Sequence, residues 1–264
     1  MSLRLTASAH TTHNGRMVQR VIYARYGIAA ADLLNAGPAL PVTQPDSSLA
    51  AALYQAMKSM QAEAFRGDGS VDYARLSRSQ AYAEYREKTR SLQSFDPATL
   101  VSREERLAFW INLYNALVVD GVIRLGVQRS PSEIPGFFWR VAYNVGGRRY
   151  DSTDIENGIL RANRSHPVIP VPQFGASDER RRYMVDPMDV RVHFALVCAA
   201  RSCPPVAFYA AQRIDLQLDM AARAFINGGG VHVDRATNRV ALSRIFQWYA
   251  PDFGGAPLAL GDKR

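Results

Sequence analysis

The residues best suited to chemistry lie in one segment, Asp189-Val-Arg-Val-His-Phe-Ala-Leu-Val-Cys-Ala-Ala-Arg-Ser-Cys-Pro-Pro-Val206, which holds both cysteines and one of the five histidines. A thiol near an imidazole is the raw material of nucleophilic catalysis, in which the base takes the thiol proton and a third group orients the base. Large apolar residues alternate from Arg191 to Cys198, the pattern of a half-buried strand. On such a strand Phe194, Leu196 and Cys198 share one face and His193 lies on the other. That parity assigns Cys198 to the core as a small hydrophobe and leaves Cys203 as the candidate nucleophile. Cys203 precedes proline, which favours extended backbone, and Arg201 would stabilise its thiolate. His193 is the candidate base and Glu156 the candidate orienting carboxylate, with Asn115 as the amide alternative.

A structural reading stands beside the catalytic one. His193 can simply donate to a backbone carbonyl, and Thr153-Asp-Ile-Glu156 reads as a capping box, which would occupy Glu156 at a helix start. Two cysteines five residues apart also permit a disulfide, although a redox pair usually has C-x-x-C spacing.

The elements that would position these groups read as follows. A helix is expected around Met17–Arg25, then a Pro-rich linker, Gly37–Pro45, and a helix from Asp46 to Met60. Gly67–Tyr73 interrupts, and a second helix follows over about Ser79–Gln93. Ser102-Arg-Glu-Glu105 is a capping box that opens a long helix to about Arg124. That helix is apolar around nearly its whole circumference and so should be buried. Asn112 and Asn115, three apart on one face of it, then need hydrogen-bond partners, and they are candidate binding or site-bracing residues. Strands are expected over Trp139–Asn144 and Arg148–Tyr150 about Gly146-Gly147. The 164–189 stretch reads as irregular. A helix capped by Asp215, a hairpin of Val231–Asp234 with Arg239–Leu242, and a last helix over about Ser243–Tyr249 complete the chain. The fold class is α+β: a helical N-terminal half whose long buried helix packs on an antiparallel sheet of hairpins. Residues 1–45 read as a partly flexible extension and 46–264 as one domain.

Composition narrows the partners. The chain has 264 residues, 47% hydrophobic and 21% charged, with net charge +8, ordinary for a globular protein. The basic excess is spread out, with one dense cluster at Arg180–Arg182. No interleaved aromatics, helix-turn-helix or finger spacing accompany it, so nucleic acid is not the expected partner; a peptide, protein or anionic partner at Arg180–Arg182 is the alternative to catalysis. No apolar run approaches the roughly 20 residues of a membrane span. The N-terminus lacks a signal-peptide pattern, which sets a cytoplasmic expectation for the chain as it stands, with export if a leader preceded it. Neither H-x-x-x-H nor H-E-x-x-H spacing, G-x-G-x-x-G nor a P-loop occurs, so no metal or cofactor is expected.

Taken together, Gly69–Leu76, Leu107–Leu117, Tyr143–Gly147, Asp154–Arg161, Val192–Leu196, Ser202–Pro205 and Leu242–Tyr249, in that order, closely resemble the domain-of-unknown-function 547 family, over about residues 47–254. The family occurs in bacteria and, fused to other modules, in plants. It carries no established activity, so the resemblance implies a domain and no reaction. One position departs: the family usually has His where Asn157 stands. For the candidate Cys-His centre, a thiol hydrolase or acyl/amide transferase, the likeness to papain or transglutaminases is distant. Those proteins place the nucleophile on the buried helix, where this chain has Asn115.

Overall fold

The computed structural model describes residues 14–40, 46–67, 70–169, 171–199 and 204–255. The helices are α1 (Asn14–Tyr26), α2 (Asp46–Ala64), α3 (Tyr73–Leu76), α4 (Gln80–Thr89), α5 (Arg103–Arg124), α6 (Phe137–Arg140), α7 (Ile214–Phe225) and α8 (Arg244–Trp248). Two separate antiparallel hairpins supply the strands: β1 (Ala142–Val145) with β2 (Arg148–Asp151), and β3 (Val231–Asp234) with β4 (Arg239–Leu242). The fold is α+β; among the described residues the hairpins form two separate two-stranded sheets and not the one sheet expected from the sequence, and nothing in them supports a papain-like or transglutaminase-like arrangement.

Helix α5 organises the core. Its capping box forms as expected, with Ser102 Oγ accepting from Glu105 N at 3.1 Å and Glu105 Oε2 accepting from Ser102 N at 2.9 Å. Sixteen consecutive residues, Leu107–Val122, are buried. The helix has the length and composition of a membrane span, yet 89% of its most apolar window is buried inside the protein. Trp110 links Phe109, at 5.1 Å between ring centres, to Tyr150 of β2, at 5.0 Å. Asp120 is the one carboxylate on this buried stretch, and it accepts from Tyr82 Oη (2.5 Å) and Tyr143 Oη (2.8 Å). Burial pushes its pKa up despite both bonds, so the two phenols are what let an acid sit there.

The N-terminal segment is docked on this core. Tyr23 Oη of α1 donates to Asp151 at 2.6 Å and Gln19 to Asp154 at 3.3 Å. Asn35 bonds the backbone of Asn144 in both directions, at 2.9 and 2.8 Å, as a neighbouring strand would. Arg90 then holds the carbonyl of Pro38 at 2.8 Å.

Four local expectations are corrected. The 191–198 strand is instead a 3₁₀ turn, Val190–Phe194, that ends at Ala195 in αR backbone and leads into chain without regular structure. Asp189 caps it by accepting from Arg191 N at 3.1 Å. All of Val192–Val197 is buried, so the apolar alternation marked burial on every side and carried no face parity. The capping box at Thr153 does not form: Asp151 Oδ1 takes both Thr153 Oγ1 and Asp154 N, at 2.7 and 2.8 Å. Asp154–Leu160 is then a π-helix. The strand expected from Trp139 begins only at Ala142, because Gly136 turns the chain at φ 70 into α6. Asp215 does not cap α7; it pairs with Arg191 at 2.5 Å.

Gly158 lets that π-helix approach the core. A Cβ there would lie 2.2 Å from Phe174 Cζ, and overpacking of this kind costs about 1–3 kcal/mol. Gly158→Ala is therefore expected to lower the thermal midpoint by several degrees, and an unchanged midpoint would show that Phe174 moves freely.

Candidate functional site

The site is anchored by two amides on α5. Asn115, wholly buried, donates to the carbonyls of Ala195 (2.9 Å) and Ala207 (3.0 Å) and accepts from Val197 N (3.1 Å). One turn earlier, Asn112 donates to Tyr209 O and accepts from Tyr209 N, both at 2.7 Å. These carboxamides stand in for a strand ladder: segments 195–197 and 207–209 lie outside helix and strand and pair with no strand among the described residues, so side chains satisfy their backbone groups. At the entry to the chain beyond the first segment, Ala199 has φ 52, a left-handed conformation that costs about 1 kcal/mol in a residue with a Cβ.

Cys198, half-buried at that entry, is disulfide-bonded, which corrects its assignment to the core as a free hydrophobe. Residues 200–203 lie outside the described residues, and with them the expectations placed on Arg201 and Cys203.

His193 projects from the 3₁₀ turn, its side chain 1% exposed. Its partner is not Glu156. Nε2 lies 2.8 Å from Asp252 Oδ2, carried by the last described turn, Ala250–Phe253. The same oxygen accepts from Arg161 Nε at 2.6 Å, and Oδ1 accepts from Arg164 at 2.8 Å. Burial opposes ionisation of Asp252, but the bonds from His193 and Arg161, the Arg161 charge and the bond from Arg164 outweigh it. Its pKa ends well below the ordinary carboxylate range. An ionised acceptor on Nε2 assigns the proton to that nitrogen and turns the Nδ1 lone pair outward from the pair.

Glu156 sits alongside. Its oxygens accept from Tyr249 Oη at 2.5 Å and Tyr114 Oη at 3.3 Å. Burial, then the Glu156 charge, pushes both phenols well above their ordinary pKa, so they remain donors. Tyr249 joins the two halves, its ring 4.1 Å from the His193 ring and 4.7 Å from the Arg161 guanidinium carbon. Asn157 accepts from Arg161 Nη1 at 2.5 Å. The π-helix therefore contributes Glu156 and Asn157 to the network, and π-helical turns recur at functional sites.

The arrangement can fix an imidazole tautomer, hold a carboxylate ionised beside it and accept a proton at Nδ1. Sequence reasoning chose His193 but missed Asp252, Tyr249, Tyr114 and Arg161. No local pattern marks Asp252, 59 residues from His193; only its position three residues beyond the Leu242–Tyr249 block points to it.

The Arg180–Arg182 cluster does not stand free as a patch. Arg180, 12% exposed, is bound by Asp154 and Asp178 at 2.8 and 2.9 Å and lies over Phe174 at 4.2 Å. Arg181 donates to the Ala176 carbonyl. Arg182, exposed, covers the Tyr183 ring. Among the described residues no group of three or more His, Cys, Asp or Glu is set to hold a metal ion.

No curated protein and no solved structure matches the chain. The model of the family described as protein of unknown function, DUF547, matches residues 98–226, a span that includes α5, the π-helix and His193 but stops short of Asp252. Over that span, just under half of the chain, the sequence is similar to the DUF547 family.

Proposed function

We propose that the domain is a hydrolase or acyl/amide transferase in which His193 is the general base, Asp252 its orienting carboxylate, and Cys203 the nucleophile. The observation that carries this reading is the 2.8 Å contact of His193 Nε2 with a carboxylate kept ionised by two arginines, the base–orienter half of a triad. Glu156, which the sequence offered as orienter, instead holds Tyr249 against the imidazole. Cys203 is the only cysteine besides Cys198, and Cys198 is disulfide-bonded, so thiol chemistry belongs to the reduced protein.

The test needs no substrate. In a Cys198→Ser variant, alkylation of Cys203 by iodoacetamide should proceed well below pH 8.5, the ordinary thiol pKa. His193→Gln should return the pH profile to that of a free thiol. Alkylation with an ordinary profile that ignores His193→Gln would remove Cys203 from the centre.

A second reading, a noncatalytic domain that binds a protein or peptide, is favoured by the burial of the pair: the side chains of His193 and Asp252 are 1% and 0% exposed. In that reading the bond is a strut between the 3₁₀ turn and the C-terminal turn, and the alkylation experiment separates the two.

A further inference from the structure

Where the chain enters α5, Pro97, Leu100, Val101, Arg106, Arg182 and Tyr183 enclose an open cavity of about 380 Å³, within the size range of small-molecule sites. None of these residues belongs to the His193 network. Pro97, Leu100 and Val101 supply its apolar part, and Val101, 79% exposed, is a large aliphatic left bare. The wall is cationic. Arg106 gives Nε and Nη2 to the carbonyls of Ser102 and Val101, at 3.4 and 3.2 Å, which fixes the guanidinium without neutralising it. Arg182 lies over the Tyr183 ring at 4.7 Å and donates to its hydroxyl. Neither arginine makes an ion pair among the described residues.

The acids nearby hold bonds of their own, although Asp96 and Glu179 also act on the Arg182 charge. Asp96 accepts from Ala98 N at 2.9 Å and Tyr183 Oη at 3.2 Å. Glu179 pairs with Arg148, and Glu105 closes the capping box. Their charges still subtract from the field of the two arginines, which suits one negative charge better than the two of a phosphate monoester. A planar carboxylate matches the guanidinium fork, and the aliphatic part needs an apolar group attached to it.

We propose that this cavity binds a small amphiphilic monocarboxylate, its carboxylate between Arg106 and Arg182 and its apolar group on Leu100 and Val101. A free organic acid and the apolar C-terminal residue of a peptide present the same chemistry. The proposal is independent of the His193 reading.

The experiment titrates the full chain with octanoate, N-acetyl-leucine and octan-1-ol, followed by amide chemical shifts. Saturable shifts confined to residues 97–106 and 182–183 are expected with one or both acids. Arg106→Gln and Arg182→Gln should each weaken binding by about fivefold, as expected for a partly exposed charge contact, and His193→Gln should not. Preference for octanoate identifies the free acid as the source, and preference for N-acetyl-leucine the peptide terminus. Octanol binding as well as the acids, binding that survives both arginine changes together, or no saturation at millimolar acid would each overturn the proposal.

Discussion

Replacing Asn115 with alanine is expected to destabilise the protein by about 3–5 kcal/mol, because two buried backbone groups and one partly buried one lose their partner together and each unsatisfied group costs about 1–3 kcal/mol. The groups are the carbonyls of Ala195 and Ala207 and the amide of Val197. No ladder stands in reserve, since neither segment pairs with a strand among the described residues. Asn112→Ala removes two bonds, both to Tyr209, and should cost less. Urea unfolding measures the order: Asn115→Ala first, Asn112→Ala second, both well below the native chain. If Asn115→Ala unfolds at the native urea midpoint, the amides do not hold the two segments.

Asp252→Ala carries the second large effect. It strands the Arg161 guanidinium, whose side chain is 4% exposed, and removing one member of a buried pair costs about 3–5 kcal/mol. The pH dependence has a definite sign. The folded pKa of Asp252 is depressed from the ordinary 3.8, so its stabilisation is fully present above that value and is lost as pH falls through the lower folded one. Stability of the native chain should therefore drop on acidification below about pH 4, where the unfolded carboxylate begins to take up protons. Asp252→Asn should flatten that part of the curve. Denaturant titrations at pH 7 and pH 3 decide it, and equal losses in the two proteins would mean that other carboxylates govern the acid limb.

The sequence was most legible where structure is local. Ser102 and Glu105 are three apart and cap each other, and the unbroken apolar surface that follows requires a buried helix. Asn112 and Asn115 stood out as buried amides before their partners were known. Those partners, up to 97 residues away, have no local signature. The 191–198 segment misled because alternation distinguishes faces only when one face is wet. Here every residue from Val192 to Val197 is buried, and the deciding signal was Asp189, a cap for Arg191 N. Thr153–Glu156 had the letters of a capping box, but the Thr153 hydroxyl donates to Asp151, which also takes Asp154 N. That competition left Glu156 to the tyrosines, and so a local misreading became a misreading of the site.

The π-helix has a kinetic consequence. Its segment meets both ends of the described chain, through Gln19 on Asp154 and through Arg161 on Asp252, contacts 135 and 91 residues apart. During synthesis Arg161 emerges long before its carboxylate, and a cation cannot be buried without compensation. The nascent chain can assemble α2, α4 and α5 early, from neighbours in sequence, but the His193 region must wait for the final turn. Non-local closure of this kind is slow, and it makes completion of the candidate site contingent on synthesis through Asp252.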